Sequence, residues 1–598
     1  MMKRFLNIMV LAAAAFAAVS CAGFLDPLPN GSYNENNYDD YPALIRGYVE
    51  KAYDLLPGHY IVADLIGGDG LSDNMTWRAH TSTMYMLATG SPQMNSYNFS
   101  SLYNRDYKAI YYCNLFLDND LGKTTRYMLD AEANAKLQKA LQGDAYGLRA
   151  FYYWDLLKFF GGRSVSGEML GVPVFTKPVD LATANMADVK RETYADCVKQ
   201  IIADCDSAYK YLPLANRDFL KDPEMIPVLG AVRWRRLDGA SILALKAMVL
   251  LSWASPAFNP AEDLSRWDAA AKAAKAAIDF KMTVDNVPGG FDPTQSFLWH
   301  DPNSPEAFFI SQISQNSTYE NSFYPNGFNG SGDYGPTQEL VDAFPMANGY
   351  PIDHPLSNYN AANPYSNRDP RFYADIFYNG SQVVRNTNTS DIMYTFDTTE
   401  GGYDAPGLVK TSPTGYYIKK FVFTGWNKND NTVQTAQNCI FFFRWTHMLL
   451  AFAEAANQVV GPLDESTYGM SAKQAIAYIR NRPLEDGSKG VGALGDPYLD
   501  ECALAGFRQF DKLVHNEWRI ETCFEGHRFH NVRRWARSVD EINVPIHRIK
   551  IVRNGASLTY TPELLEQRIY PSLWLPIPYM EVRKAPGIEQ NQGWENWK

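Results

Sequence analysis

Apolar residues recur every three or four positions along much of the chain, and this spacing predicts a mainly helical protein. The clearest case is "LQKALQGDAYGLRAFYYWDLLKFFGG", where apolar residues from Leu137 to Phe159 share one helical face and Gly161 supplies a natural stop. Small residues among the large ones let such helices approach closely, which predicts helical hairpins of the tetratricopeptide type. Comparable patterns occupy residues 39–56, 101–121, 193–212, 237–254, 266–280, 442–460, 470–482 and 506–524.

Between residues 283 and 440 the helical period fades, and Gly, Pro, Asn, Ser and Tyr dominate, as in "SFYPNGFNGSGDYGPTQ". An irregular stretch of this length is unusual in a compact fold unless it is functional, so we expect it to contribute to a binding site. Two short segments, "YYIKKFVF" (416–423) and "HRIKIVR" (547–553), predict small sheets beside the helices.

The first residues predict the compartment. Lys3 and Arg4 precede an apolar run from Ile8 to Val19, which is shorter than the roughly 20 residues that a bilayer-spanning helix needs. We therefore interpret residues 1–20 as a secretory signal peptide that is removed. The small residues of "AAVSC" before Cys21 are typical of a lipoprotein signal, so Cys21 is the expected site of lipidation. An ordinary signal peptide with an incidental cysteine is the alternative.

The charge balance argues against a nucleic-acid partner. The chain carries 66 Asp and Glu against 55 Lys and Arg, a formal net charge of −11. Surfaces that bind phosphate backbones rely on clustered Lys and Arg, so an acidic chain does not fit that class.

Six cysteines remain after Cys21, and their spacing matches no metal-binding motif. We expect scattered buried thiols, which suits a chain long enough to rely on its core. These cysteines are Cys113, Cys197, Cys205, Cys439, Cys502 and Cys523.

The segment "CFEGHRFHNVRRW" (523–535) concentrates a thiol, a carboxylate, two imidazoles and three guanidinium groups. Metal ligands, a nucleophile with its base, or a well-paired scaffold segment are all conceivable. Its two histidines do not form H-E-x-x-H, and the chain lacks G-x-S-x-G, Walker and dinucleotide-binding loops in their usual setting. We interpret the segment as a structural brace whose charges can pair along it, and we predict neither catalytic nor metal-binding residues. The charged residues are Glu525, Arg528, Arg533 and Arg534, with Glu517 and Arg519 just upstream.

Seven segments stand in the order that is typical of the SusD/RagB family of outer-membrane nutrient-binding lipoproteins, which the chain resembles from end to end. They are "CAGFLD", "LRAFYYWDLLKFFGGRSVSGEMLGVPV", "GPTQELVDAF", "SNRDPRFYADIFYNG", "RWTHMLLAFAEAANQ", "HNEWRIETCFEGHRFHNVRRWAR" and "YPSLWLPIPYMEVRKAPGIEQNQGW". The resemblance implies a mainly α fold of about four tetratricopeptide-like hairpins, with long irregular insertions and a few short strands. We expect a single SusD-like domain over 21–598, with an N-terminal helical half (21–282) and a C-terminal half (283–598) that contains the loop-rich 283–440 insertion.

The resemblance also implies a function. Such proteins lack enzymatic activity, need no cofactor beyond the N-terminal lipid, and sit on the outer membrane facing the cell exterior. They capture oligosaccharides or polysaccharides for import by a SusC-like TonB-dependent transporter. Some members capture peptides, so a RagB-like peptide-binding protein is the main alternative. A glycoside hydrolase and a purely structural or adhesive surface protein are more distant ones.

Aromatic residues in irregular loops are the candidate ligand contacts, because a flat ring can stack on the C–H face of a sugar while neighbouring polar groups bond its hydroxyls. Two stretches fit this expectation: "GGDGLSDNMTWRAHTSTMY" (67–85) and residues 299–335. We predict that their rings are exposed. The predicted ligand-binding residues are Asp73, Asn74, Trp77, Arg78, Trp299, Tyr319, Tyr324, Phe328 and Tyr334.

Overall fold

The computed structural model describes residues 41–57, 68–94, 99–179, 185–216, 226–230, 233, 235–284, 299–311, 313–386, 391–422, 436–482, 490–491 and 495–597. The predicted signal peptide and Cys21 lie outside the described residues. Within the described ranges, no helix combines the length and the apolar character needed to cross a bilayer.

Helices dominate these residues, as the apolar spacing predicted. They are α1 (Pro42–Asp54), α2 (Thr83–Ala88), α3 (Phe99–Leu117), α4 (Leu121–Thr124), α5 (Ala131–Phe160), α6 (Tyr194–Tyr211), α7 (Ile226–Leu229), α8 (Gly239–Ala254), α9 (Leu264–Val284), α10 (Thr318–Phe323), α11 (Gln338–Ala343), α12 (Pro370–Asp375), α13 (Trp445–Val460), α14 (Ala472–Arg480), α15 (Pro497–Ala505), α16 (Phe507–Glu521), α17 (His527–Trp535) and α18 (Tyr579–Lys584).

The longer helices pack in pairs, which confirms the prediction of tetratricopeptide-like hairpins. Helix α1 packs on α3, α5 on α6, α8 on α9, and α13 on α14. Helix α9 also packs on α13, which joins the N-terminal half of the chain to the C-terminal half. Helix α5 shows the cause of the close approach: a Cβ on Gly143 would lie 2.5 Å from Leu212 Cγ, and one on Gly147 would lie 2.8 Å from Leu237 Cδ1. These two glycines therefore let neighbouring segments approach the α5 backbone closely.

The strands are short, and each sheet among the described residues has two strands. They are β1 (Met75–Trp77), β2 (Gly162–Arg163), β3 (Met169–Leu170), β4 (Ala307–Ile310), β5 (Ser314–Asn316), β6 (Tyr334–Pro336), β7 (Ile376–Phe377), β8 (Gln382–Asn386), β9 (Asp391–Thr395), β10 (Tyr417–Ile418), β11 (Ala436–Asn438), β12 (Phe441–Arg444), β13 (Pro545–Asn554) and β14 (Ser557–Gln567). The antiparallel pairs are β1–β6, β2–β3, β4–β12, β5–β11, β7–β10, β8–β9 and β13–β14. The predicted strand segments correspond to β10 and β13.

Two apolar cores hold the protein together. The larger one lies between the paired helices and contains residues from both ends of the chain, from Ile45 to Trp597. The smaller one is built mainly by residues 299–441 and is completed by Met75, Phe524 and Ile549. The predicted insertion is thus packed around a core of its own. All six cysteines after Cys21 are free and buried, as the sequence predicted.

Candidate functional site

The two segments selected from the sequence lie side by side in the structure. Strand β1 pairs antiparallel with β6, and Trp77 stands opposite Tyr334. Just beyond the pair, the backbone N–H of Arg78 donates to the carbonyl oxygen of Asp333 at 2.8 Å. Residues far apart in the chain therefore form one surface, which sequence reasoning selected as two separate loops.

The predicted exposure of Trp77 is wrong. All three residues of β1 are buried, and Trp77 is only 6% exposed within the larger apolar core. Its ring lies over Gly70, where a Cβ would come within 2.4 Å of the indole. The physical reason is the short strand itself, since both of its faces are covered.

The predicted exposure of four further rings is also wrong. The 283–440 insertion has no long helix among its described residues, so aromatic rings fill its core instead of lining its surface. Trp299, for example, packs edge-on against Phe421 at 4.7 Å between ring centroids. A ring buried in this way offers no face to a sugar. The rings concerned are Trp299 (2% exposed), Tyr319 (4%), Tyr324 (0%) and Phe328 (1%).

Two of the predicted polar contacts are occupied inside the protein. Asn74 is fully buried, and its side-chain oxygen accepts from Arg519 Nε at 2.9 Å. Asp73 accepts from Arg528 Nε at 2.8 Å and lies 3.0 Å from Arg519 Nη2. Burial alone would raise the pKa of Asp73, but Arg519 and Arg528 together hold it well below its usual range. Asn74 is thus buried and bonded, and Asp73 already has two basic partners, so ligand contact by either residue stays a prediction.

A different set of side chains faces solvent at the same place. Arg78 keeps 38% of its side chain exposed and donates from Nη2 to Asp333 Oδ1 at 2.7 Å. The exposed ring of His80 stacks on Tyr85 at 4.4 Å between centroids, with 3° between the ring planes. Tyr334, one of the predicted contacts, is half-buried beside them. We call these five residues the β1–β6 surface.

The hydroxyl of Tyr85 is held in place by a hydrogen bond on the protein side of the surface. It bonds to Glu566 on β14, and burial together with the charge of Glu566 raises the pKa of Tyr85 to about 12. The hydroxyl of Ser331 donates to Asp333 Oδ2 at 2.5 Å. The ring pair and the ion pair are therefore both held in place before any ligand arrives.

Sequence reasoning missed His80, Tyr85 and Asp333. A signal for the ring pair was present, because Ser82 is a typical helix N-cap residue and its hydroxyl accepts from the backbone N–H of Tyr85 at 3.1 Å. That cap begins α2, whose first turn brings the Tyr85 ring next to His80.

Comparison with known proteins identifies the family of this chain. Residues 303–594 match the model of the SusD family, and residues 23–224 match a model described as "Starch-binding associating with outer membrane". The chain belongs to the SusD family. The description of the second model points to association with the outer membrane.

Relatives of this SusD-family chain share its full architecture. A SusD-like protein of Formosa agariphila is 22% identical over 557 residues, which cover 87% of this chain and 93% of the relative. A solved SusD-like protein of Bacteroides fragilis NCTC 9343 is 21% identical, with a TM-score of 0.70 over 94% of this chain and 99% of that one. A SusD-like carbohydrate binding protein of the same organism is 17% identical, with a TM-score of 0.63 over 92% and 99%.

The chemically dense 523–535 segment of the SusD-family chain is a structural brace, but the predicted pairing along the segment is wrong, because its charges pair with other elements of the fold. Glu525 accepts from Arg444 through Nε at 2.9 Å and Nη2 at 2.8 Å, from Lys420 at 2.8 Å, and from His447 at 3.1 Å. Burial opposes its ionisation, yet Arg444 and Lys420 hold the pKa of Glu525 well below its usual range. Its carboxylate is thus ionised and fully engaged inside the protein.

Two residues of the brace and the neighbouring His447 lie close enough to resemble a metal site. Ligand atoms of His447, Glu525 and His527 lie within 4.8 Å of one another. However, the backbone N–H of Arg444 donates to His447 Nδ1 at 3.3 Å, so the imidazole proton is on Nε2, which faces Glu525. A metal ion would have to displace that proton beside two cations. This arrangement disfavours a metal ion at these three side chains.

Proposed function

We propose that this protein is a lipid-anchored outer-membrane protein that binds an oligosaccharide or polysaccharide at the β1–β6 surface and delivers it to a SusC-like TonB-dependent transporter. The observation that carries the binding is the exposed His80 ring, stacked on half-buried Tyr85, beside the Arg78–Asp333 ion pair. The relation to a solved SusD-like carbohydrate binding protein adds support.

The β1–β6 surface has the chemistry that a sugar needs. The parallel rings of His80 and Tyr85 offer a rigid aromatic group for the C–H face of a pyranose. Arg78 supplies donors and Asp333 supplies acceptors for hydroxyls, and both already have partial exposure. Binding at such an open surface should be weak, because much of the ligand stays hydrated and ordering it costs free energy.

We further propose capture without hydrolysis. A glycosidase needs a carboxylic acid with a raised pKa near a second carboxylate. Here Asp333 pairs with Arg78, while Asp73 pairs with Arg519 and Arg528. The two arginines hold the pKa of Asp73 well below its usual range, so this carboxylate is not suited to donate a proton. Prolonged incubation with a bound polysaccharide should release no new reducing ends, and release at an enzymatic rate would overturn this part of the proposal.

The alternative of peptide capture would favour an open strand edge. Strand β14 forms the outer edge of the β13–β14 sheet among the described residues. It carries exposed Pro562 in its middle and half-buried Glu563 directly after it. Proline and charge are the usual protection of an edge against pairing with another chain, so this edge favours the glycan over the peptide.

The anchor and the transporter partner rest on Cys21 and on the family. Because the lipid on Cys21 is the proposed anchor, Cys21→Ala should move the protein from the membrane fraction to the soluble fraction. A SusC-like transporter should co-purify with the wild type from native membranes. A Cys21→Ala protein that stays fully membrane-bound would contradict the lipid anchor.

Calorimetric titration tests the binding. Residues 22–598 would be titrated with maltoheptaose, cellohexaose, xylohexaose and mannohexaose, and then with a wider polysaccharide array. His80→Ala should weaken binding of the best ligand about tenfold without changing the melting temperature, because His80 is exposed. Tyr209→Ala is the matched control, since Tyr209 is a 37% exposed aromatic residue of α6. Equal binding by wild type and His80→Ala would contradict the β1–β6 surface.

A further inference from the structure

A second concave site lies away from the β1–β6 surface, along helix α3. One face of α3, the segment 173–179 and the residues after α18 enclose a groove of about 940 Å³. This is within the roughly 300–1,000 Å³ that ligand sites occupy. We call it the α3 groove.

A row of tyrosines forms one wall of the α3 groove. Tyr103, Tyr107 and Tyr111 follow one another at intervals of four, so they share a face of the helix. Their exposure rises along the row: Tyr103 is 5% exposed, Tyr107 is half-buried and Tyr111 is 41% exposed. At 1.5 Å per residue the row is about 12 Å long, which is the length of a short oligosaccharide segment.

Phe175 faces this row from the opposite wall. Its ring stands edge-on to Tyr107 at 5.9 Å between centroids, and Tyr107 in turn lies 4.6 Å from Tyr103. Ala585 and Ile588, both buried, complete the apolar part of the lining. Aromatic rings therefore stand on two sides of one cavity.

Buried hydrogen bonds fix the Phe175 wall in position. Asn114 Nδ2 donates to the carbonyl oxygens of Phe175 at 2.9 Å and Lys177 at 3.2 Å. The backbone N–H of Phe175 donates to the hydroxyl of Tyr153 at 2.6 Å. Arg149, itself paired with Asp204, donates to Asn114 Oδ1 at 2.8 Å. A wall held by such a network needs little reordering on binding, which favours affinity.

The charged side chains that line the groove include equal numbers of cations and carboxylates. Lys108 and Lys177 supply two cations, while Asp118 and Glu581 supply two carboxylates. Asn104 adds an exposed amide on the same helix. This lining suits a ligand without net charge that offers both hydroxyl groups and apolar faces.

We infer that the α3 groove is a second binding site, for a neutral oligosaccharide. Rings of Tyr107, Tyr111 and Phe175 contact the C–H faces of the sugars, and the rim residues bond their hydroxyls. The site goes beyond the proposed function and does not depend on the β1–β6 surface. A chain with both sites can hold one long glycan at two points, or two shorter ones.

Tyr111 is the residue to change, because it is exposed and its removal leaves the buried network intact. With residues 22–598 and the four oligosaccharides named above, wild type should show two sites in calorimetric titration. Tyr111→Ala should weaken one of them about tenfold, and Tyr111→Phe should keep most of that affinity because the ring remains. Tyr209→Ala again serves as the exposed-aromatic control, and melting temperatures verify that each variant is folded.

The Tyr111 and His80 variants test the two proposed sites independently. Loss of binding in Tyr111→Ala with no change in His80→Ala would support the α3 groove and contradict the β1–β6 surface, and the reverse result would do the opposite. Unchanged oligosaccharide binding in Tyr111→Ala, or no binding of any of the four probes that depends on Tyr111, would overturn the inference. Binding of a synthetic tyrosine-rich peptide in place of the sugars would also overturn it, in favour of a protein partner.

Discussion

Two arginine–carboxylate pairs of almost equal length have opposite roles in this protein. Arg444 and Glu525 lie 2.8 Å apart with 0% and 2% of their side chains exposed. Arg78 and Asp333 lie 2.7 Å apart with 38% and 34% exposed. The first pair is enclosed by further charged partners, whereas the second faces solvent. Burial, and not the contact distance, separates the charges that support the fold from those that a ligand can reach.

The buried pair belongs to a wider network. Glu521 lies 3.0 Å from Arg371 Nη1 and 3.3 Å from Arg444 Nη1, and Arg482 bonds to it at 2.5 Å. These guanidinium groups overcome the opposing effect of burial and lower the pKa of Glu521 to about 2. Removing one member of such a network leaves several charges without their partner.

The largest effect should come from Glu525→Ala. The substitution leaves Arg444 and Lys420 buried without their shared carboxylate, so the free energy of unfolding should fall by about 4 kcal/mol. Urea unfolding followed by circular dichroism measures this loss. The protein that remains folded should bind oligosaccharide as wild type does, since Glu525 has no exposed surface to offer.

Glu563→Ala is the matched control for that experiment. Glu563 lies 2.9 Å from Arg548 Nη2, but both side chains are about one-third exposed. Removal of this carboxylate should change the free energy of unfolding by less than about 1 kcal/mol. A comparable loss in the two variants would contradict the distinction between buried and exposed pairs.

Trp77→Ala should behave as a core substitution. Because the indole is 6% exposed and packs over Gly70, its loss opens a cavity and should cost about 3 kcal/mol of unfolding free energy. An exposed ligand-binding ring, as predicted from the sequence, would instead give loss of binding at an unchanged melting temperature. Thermal unfolding decides between the two, and an unchanged melting temperature would show that the ring is accessible after all.

The brace should also make stability depend on pH. Burial lowers the pKa of His447 to about 4, although Glu525 opposes the shift. The folded state therefore binds this proton less readily than the unfolded state, whose value is near 6.5, so the contribution is complete above pH 6.5 and is lost as the pH falls towards 4.

In His447→Gln, the fall of unfolding free energy between pH 6.5 and pH 4 should be smaller than in wild type by about 2 to 3 kcal/mol. Urea titrations at intervals across this range measure the difference. Parallel curves for the two proteins would show that His447 does not titrate in this window.

The smallest effect on stability should come from Arg78→Ala. Its ion pair is exposed, so the unfolding free energy should change by less than about 0.5 kcal/mol. Oligosaccharide binding should nevertheless weaken about tenfold, because a guanidinium donor to the sugar is lost. Arg548→Ala, which removes an exposed arginine from another ion pair, should leave binding unchanged. Loss of stability in Arg78→Ala would place its ion pair with the structural pairs.

Much of the fold was predictable because helices repeat their own pattern. The apolar spacing from Leu137 and the stop at Gly161 predicted α5, which runs from Ala131 to Phe160. Charges inside an apolar helical pattern also predicted that Arg444 and Glu525 are paired and structural, although not that they pair with each other. Both inferences use short stretches of chain whose geometry is regular.

The candidate site was predictable in place but not in detail. Irregular segments have no period that tells which side chain faces water, so Trp77 and His80, three positions apart, could not be ranked. The α3 groove could not be predicted because its tyrosines lie on a regular helix. Tyr103, Tyr107 and Tyr111 have the spacing of an ordinary core-facing helix, and only the packing around α3 leaves Tyr111 outside.

The pairing of β1 with β6 makes binding depend on complete folding. Arg78 and Asp333 are separated by 255 positions, so their contact closes a very long loop of chain. Neither half of the chain, residues 21–282 or residues 283–598, contains both partners. A ligand of the β1–β6 surface would therefore recognise only the assembled molecule, and its binding could serve as an assay of whether the two halves of the chain have come together correctly.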